Sequence, residues 1–339
     1  MKPIVVSGIR ATGKLHLGNY LGAMRNFVLL QQDYECYFFI ADWHSLTTEE
    51  DAGKVKDNLL PIVIDYLAAG LDPRMCAIFA QSSIPEIPEL ALLLSMVEPV
   101  SDLEVLPTYK EKMELQKKSG KTVTAGLFFY PILMAADILI QKATVVPVGK
   151  DQLPHIFCAR DIAQRFNARF GITFPLPNAL EGKAVRVPGL DGTNKMGKSQ
   201  DNTIELVESE ESITMKLATA VTDPARKRRN DPGNPFECNI FDLHELVSPP
   251  DAIEWAKQGC KSAGIGCLEC KKKLSEAIVK LLAPFQERRA EIAAKPGYAE
   301  EILHEGTKKA RFNAKRVLEE VREKMGLKYF EGWWRDEPR

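Results

Sequence analysis

Two short stretches carry the residue types that phosphate chemistry needs. The first, Ser7-Gly-Ile-Arg-Ala-Thr-Gly-Lys-Leu-His-Leu-Gly-Asn-Tyr-Leu-Gly22, follows the apolar run Ile4-Val-Val6 and leads into an apolar-periodic segment at 21–30. A buried strand, a glycine-bearing turn and a helix in that order present backbone N–H groups and a helix N-terminus to an anion. Gly8 and Gly13 let the backbone approach a ligand closely, and His16 and Asn19 fall near the helix start. The spacing from Gly8 to Lys14 matches a Walker A loop, but Leu15 stands where a hydroxyl must hold Mg²⁺. A different kind of anion site and a plain strand–helix turn both stay open. The second stretch, Lys195-Met-Gly-Lys-Ser199, offers two cations in one loop; taken alone, it is equally a solvated surface loop.

A third feature is a carboxylate on an apolar helical face. Tyr130, Met134 and Asp137 recur at i, i+4 and i+7. Burying Asp137 there is costly unless a protein or ligand N–H or O–H reaches it. Asp42 and His44 follow the second expected strand, and Gly149-Lys-Asp-Gln152 follows the fourth. Ligands bind at such strand ends, although helix capping uses the same residue types. Four cysteines, Cys238, Cys260, Cys267 and Cys270, form a C-x₂₁-C-x₆-C-x₂-C pattern, whereas Cys36, Cys76 and Cys158 sit in apolar segments as small core residues. Zinc and a [4Fe–4S] cluster both suit four thiols, and the spacing does not choose between them. Two basic runs, Arg226-Lys-Arg-Arg229 and Lys271-Lys-Lys273, lie nearby. With a net charge of −1, any nucleic-acid contact must come from such local patches.

The elements that position these residues alternate in the first half. Strands are expected at 4–6, 36–41, 77–80, 144–148 and 184–187, and helices at 49–70, 89–97, 125–141 and 151–170. That alternation predicts an α/β fold with a doubly wound parallel sheet, its ligands beyond the carboxyl ends of the strands. After residue 200 helical patterns dominate, notably at 274–290 and 300–325, so a boundary is placed near 190. The 339 residues, 45% hydrophobic and 27% charged, suit two or three globular domains. The chain has no 18-residue apolar run and no signal-peptide pattern, which predicts a cytoplasmic protein whose cysteines are reduced or metal-bound. The tail 330–339 shows little pattern.

His16-Leu-Gly-Asn19 resembles the HIGH motif of class I aminoacyl-tRNA synthetases, and Lys195-Met-Gly-Lys-Ser199 resembles their KMSKS loop. The two stand in the family's order, about 180 residues apart. Over nearly the whole chain the resemblance is to the bacterial tryptophanyl enzymes, in the class Ic group shared with tyrosyl enzymes. It implies a Rossmann catalytic domain at 1–190 for ATP and tryptophan. Residues 191–339 would then carry the KMSKS-like loop and a helical anticodon-binding domain. It also implies a homodimer acting on L-tryptophan, ATP with Mg²⁺ and tRNA(Trp), with no role for DNA or membranes. By the same resemblance Arg10, Ala11, Thr12, Gly18, Asn19, Gly149, Lys150, Asp151 and Val187 line ATP, together with Lys195, Met196, Gly197, Lys198 and Ser199. His16, Asn19, Lys195 and Lys198 carry the catalysis. Asp137 accepts the indole N–H, and Tyr130, Met134, Gln152 and His44 hold the rest of tryptophan.

In this chemistry the tryptophan carboxylate attacks the α-phosphorus of ATP, pyrophosphate leaves, and the terminal ribose hydroxyl of tRNA then attacks the adenylate. It requires positioning and charge stabilisation rather than a covalent enzyme intermediate. The four-cysteine pattern is similar to that of a branch with a [4Fe–4S] cluster in the anticodon-binding region, which favours iron–sulfur over zinc. Two departures stand out. Gly197 replaces the first serine of KMSKS, removing a hydroxyl and adding loop freedom, and Arg10 stands where many tryptophanyl enzymes carry glutamine. A tRNA-independent adenylyltransferase would have no use for the cysteine module. A non-catalytic RNA-binding or sensor protein would not need Lys195, Lys198 and Asp137 together.

Overall fold

The computed structural model describes residues 2–118, 120, 122–180, 186–192 and 195–329, without the side chains of Thr108 and Ser199. Five parallel strands form one sheet: β1 (Ile4–Ile9), β2 (Glu35–Ile40), β3 (Cys76–Ala80), β4 (Val145–Pro147) and β5 (Asn178–Leu180), in the order β3-β2-β1-β4-β5. Val5 of β1 pairs with Cys36 on one side and Val145 on the other. The strands read as continuous apolar runs because helices cover both faces; Phe38 and Ile78 lie in one core, Phe39 and Phe79 in the other. The chain leaves β1 toward β2 and later returns to β4 on the opposite side. This makes the β1–β4 crevice the topological switch point.

The strand expected at 184–187 falls partly outside the described residues. Its described members, Arg186 and Val187, lie in irregular backbone, and the fifth strand is Asn178–Leu180. The helix expected at 21–30 begins earlier. A turn of helix at Leu17–Asn19 runs through a π-helical stretch, Tyr20–Met24, into Arg25–Leu30. Helix Ala52–Ala69 starts where Asp51 accepts the N–H groups of Gly53 and Lys54 and stops at Gly70, with φ 110°. None of the helices among the described residues is long and apolar enough to cross a membrane.

The C-terminal half packs back onto the sheet. Leu274, Ile278, Leu282 and Phe285 of helix Cys267–Ala293 share a core with Val5, Leu15 and Leu17. Helix Tyr298–Lys324 lies against β3 so closely that a Cβ on Gly306 would come within 1.9 Å of the Ile78 carbonyl oxygen. Alanine normally favours a helix over glycine by roughly 0.5–1 kcal/mol. Here the clash is with backbone that cannot rotate away, and overpacking of this kind costs about 1–3 kcal/mol. Gly306→Ala is therefore expected to lower the melting temperature, measured by circular dichroism. An unchanged or raised value would show that the helix can shift off β3.

Candidate active site at the strand ends

The lysine loop reaches the glycine-bearing turn through a short antiparallel pairing. The Leu17 N–H donates to the Ile204 carbonyl at 2.8 Å and the Leu206 N–H to the Leu15 carbonyl at 3.0 Å, with His16 opposite Glu205. This holds the loop that ends just before Ile204 over the start of the helical segment. Lys198 Nζ donates to the Gly13 carbonyl, and Gly13 has φ 141°, a conformation that favours glycine. Lys195 Nζ lies 4.0 Å from the Asp151 carboxylate, in the turn after β4 that holds Gly149 and Lys150. Asn202 fixes the loop, accepting the Gly197 N–H at 2.9 Å and donating to the Lys195 carbonyl at 3.3 Å. The Met196 N–H donates to the Val187 carbonyl at 2.9 Å. Gly197 itself has φ −161°, an extended conformation open to any residue, and a Cβ there would meet only the Lys195 carbonyl at 3.7 Å. The backbone thus has no need of glycine at 197, and Asn202 restrains the freedom expected there.

Arg10 completes the cationic group. Its Nη2 donates to Thr48 Oγ1 and, at 3.4 Å, to the Ser45 carbonyl, while its buried Nε meets no acceptor among the described residues. The Ala11 N–H donates to Ser45 Oγ at 2.8 Å, and Thr12 sits half-buried in the same turn. Asn19 Oδ1 accepts the His16 N–H at 3.1 Å, and Gly18 lies so close to the His16 ring that a Cβ would approach Nδ1 to 2.8 Å. Burial, then Lys198 and Lys195, holds the His16 imidazole down at about 4. Burial, then Arg10, brings the Lys198 ammonium down to about 8. His16 is therefore neutral at physiological pH and can donate a hydrogen bond without adding repulsion. Because its folded value lies below the ordinary imidazole range, the neutral form persists as pH falls from 8 to 5. The His16 ring proton resonances are expected to show no titration in that window, and a midpoint above pH 6 would contradict the burial argument.

Beside this group two carboxylates, Asp42 and Asp137, are buried close enough to act on each other. Asp137 is 3% exposed. His44 Nε2 lies 2.9 Å from its Oδ2, and Gln81 Nε2 donates to both of its oxygens at 2.9 Å. Burial raises the Asp137 pKa and the two donors oppose the rise. The donor that the sequence demanded is thus supplied by the protein, and the carboxylate keeps acceptor capacity beyond these contacts. Tyr130 OH lies 3.1 Å from His155 Nε2, and Lys112 Nζ sits 4.2 Å above the Tyr130 ring. Half-buried Met134 is on the same helix, Ala125–Leu139. Gln152 donates to Asp151 Oδ2 at 3.0 Å. Gly8 is exposed on β1, where a Cβ would come within 2.8 Å of the Phe39 ring. Sequence reasoning missed Gln81, His155, Lys112 and Asn202. Gln81 was accessible to it, since it follows β3 as Asp42 follows β2.

A family model for class I tRNA synthetases of the tryptophan and tyrosine type matches residues 1–283. The chain belongs to that family. Among relatives of this synthetase, the tryptophan–tRNA ligase of Thermotoga maritima is 46% identical over 329 residues, covering 96% of this chain and 99% of its own. That of Deinococcus radiodurans is 44% identical, covering 95% and 98%. In three dimensions the chain is similar to the tryptophanyl-tRNA synthetase of Campylobacter jejuni complexed with ADP and tryptophan. The TM-score is 0.83 at 35% identity, over 95% of this chain and 99% of the other.

In this synthetase the four cysteines of the C-terminal half share one cavity, which Arg226 and Ile265 also line. Cys238 precedes helix Asn239–Val247, Cys260 ends on helix Pro250–Lys261, and Cys267 and Cys270 open helix Cys267–Ala293. Among the described residues no group of three or more histidine, cysteine or acidic side chains is placed so that it could hold a metal ion. Cys36, Cys76 and Cys158 are buried core residues, as expected. The basic runs are not uniformly solvated: Arg226 and Lys271 point inward, while Lys227, Arg228, Arg229 and Lys272 are exposed.

Proposed function

We propose that the chain is a tryptophan–tRNA ligase that activates L-tryptophan with ATP and transfers it to tRNA(Trp). The observation that carries this reading is the pairing of Leu15 and Leu17 with Ile204 and Leu206, which brings Lys198 of the loop onto the Gly13 carbonyl while Lys195 reaches Asp151 in the turn after β4. Arg10, Lys195, Lys198 and neutral His16 would bind the triphosphate and stabilise charge on the departing pyrophosphate. Mg²⁺ accompanies the nucleotide phosphates. The turn residues Ala11, Thr12, Gly18 and Asn19, the β4 turn Gly149–Asp151, Val187 and the loop 196–199 line the nucleotide in this reading. Tryptophan lies against Tyr130, Met134 and Gln152, with Asp137 taking the indole N–H while His44 and Gln81 hold the carboxylate in place. Val6 stands where tyrosyl relatives carry a tyrosine toward the phenol, which favours tryptophan over tyrosine. Tryptophan-dependent exchange of pyrophosphate into ATP tests the assignment; faster exchange with tyrosine would overturn it.

Residues 1–190 serve activation in this reading, and 191–339 supply the lysine loop and the anticodon-binding helices. A homodimer is part of the proposal, supported by the exposed apolar side chains Leu92, Met96, Val100, Val105 and Phe157. The four cysteines are proposed to hold a [4Fe–4S] cluster, with Zn²⁺ as the alternative; four thiols on one cavity have the donor chemistry for either. Such a centre would tie three helix ends together and take no part in activation. Cys267→Ser is therefore expected to weaken tRNA binding several-fold while leaving tryptophan-dependent pyrophosphate exchange intact. Loss of exchange in a variant whose catalytic half remains folded would reject that division.

A further inference from the structure

Two cations are buried near the four cysteines: Arg226 lines their cavity, and Lys271 lies close enough to Cys238, Cys267 and Cys270 to act on them electrostatically. Arg226 is 9% exposed. Its Nη1 lies 3.8 Å from Cys260 Sγ, and its Nη2 donates to the carbonyls of Arg229 at 2.8 Å and Ile265 at 2.6 Å. Its buried Nε meets no acceptor among the described residues. Lys271, 7% exposed, follows Cys270 directly and donates to the carbonyls of Ala218 at 2.8 Å and Ala220 at 2.6 Å. Carbonyl dipoles satisfy Arg226 Nη2 and Lys271 Nζ but do not neutralise either charge. The buried acid nearby, Asp223, accepts the N–H groups of Ala225 at 2.8 Å and Asn234 at 2.7 Å rather than pairing with either cation. His244 Nε2, 3.2 Å from the Cys270 carbonyl and 3.5 Å from Cys270 Sγ, brings no negative charge.

Neither cation makes an ion pair among the described residues, although Asp223 lies near the Arg226 side chain; a buried charge left so is costly, and an anion in the cavity would stabilise both. The cavity's thiols provide one if they ionise around a metal centre. Four thiolates on an oxidised [4Fe–4S] core, or on Zn²⁺, make a doubly negative unit. Resting on the four-cysteine reading above, we propose that Arg226 and Lys271 are the built-in counter-charges of that unit. They lower the cost of forming thiolates in a buried place and set how readily the centre accepts an electron. Arg226 approaches it from the Cys260 side and Lys271 from the start of helix Cys267–Ala293. Lys271 also joins the centre to the Ala218–Ala220 turn, linking the metal site to the end of helix Glu210–Thr219.

The test uses full-length protein prepared without oxygen: wild type, Arg226→Gln, Lys271→Met and the charge-keeping Arg226→Lys. Iron, zinc and sulfide are measured, circular dichroism checks the fold, and the centre is titrated with a chemical reductant. Loss of either positive charge is expected to lower the reduced-to-oxidised ratio at a fixed potential by about tenfold, ~59 mV for one electron. Arg226→Lys should stay near wild type. Gln and Met variants with full iron at the wild-type potential would overturn the proposal, as would an Arg226→Lys variant shifted as far as Arg226→Gln. If wild type holds zinc, the readout is zinc loss to a chelator. Loss about tenfold faster in the charge-removing variants supports the counter-charges, and an unchanged rate overturns them. Wild type without metal rejects the four-cysteine reading itself, a result distinct from failure of the counter-charge claim.

Discussion

Asp137→Ala is expected to lower kcat/KM for tryptophan in pyrophosphate exchange by roughly 100- to 1000-fold, from about 3–4 kcal/mol of lost interaction. The carboxylate is buried and shared by His44 and Gln81. Its removal takes away the acceptor for an indole N–H and leaves His44 Nε2 and Gln81 Nε2 without the partner each has among the described residues, while Gln81 Oε1 keeps the His44 backbone N–H. A site built to pair a substrate N–H discriminates strongly because its unpaired form is costly. Stability should fall as well, by about 1–3 kcal/mol for each stranded partner. Asp137→Asn separates the two effects, because it nearly preserves volume and keeps an acceptor oxygen but removes the charge facing His44. A folded Asp137→Asn protein should recover much of the stability and remain at least tenfold impaired for tryptophan. If folded Asp137→Asn and Asp137→Ala proteins both activate tryptophan at the wild-type rate, Asp137 is a structural residue and the substrate sits elsewhere.

Lys198→Ala should reduce the rate of adenylate formation on the order of 100- to 1000-fold while changing tryptophan affinity about twofold or less. A preorganised donor aimed at developing charge typically contributes that much to the rate, and only an interaction stronger in the transition state raises kcat. The structure supplies the preorganisation. Asn202 clamps the loop, the Ile204–Leu206 pairing anchors its exit, and Lys198 already lies on the Gly13 carbonyl. Burial and Arg10 lower the Lys198 pKa to about 8. Its charge is therefore present below that value and lost as pH rises through it, so activation should decline on the alkaline side. Lys198→Arg keeps its charge there and should move that decline to higher pH. Single-turnover activation with a separate tryptophan titration measures both quantities. Equal losses in rate and tryptophan binding would assign the loop to folding or uniform binding instead.

The sequence by itself determined the parts whose signal is local. β1 to β4 announced themselves as short apolar runs, because strands covered on both faces have no polar side. The long helices were marked by apolar periodicity and, for Ala52–Ala69, by Asp51 and Gly70 at its ends. The glycine-bearing turn and the lysine loop were legible because phosphate binding restricts residue types within a few positions. The tertiary structure alone decided what depends on partners distant in sequence. It showed that Gln81 and His44 already satisfy Asp137, across separations of 56 and 93 residues. It showed that Asn202, with no motif of its own, restrains the loop at Gly197. Arg226 and Lys271 turn inward from runs whose charge suits nucleic-acid contact, because a charge pattern does not reveal which side chain finds buried acceptors. β5 gave the weakest local signal, three residues paired with β4 at the edge of the sheet among the described residues, and its place in the chain was decided by the sheet. The fit of Gly306 against Ile78 likewise follows from helix Tyr298–Lys324 returning across 228 positions to the sheet's β3, a contact that no local pattern encodes.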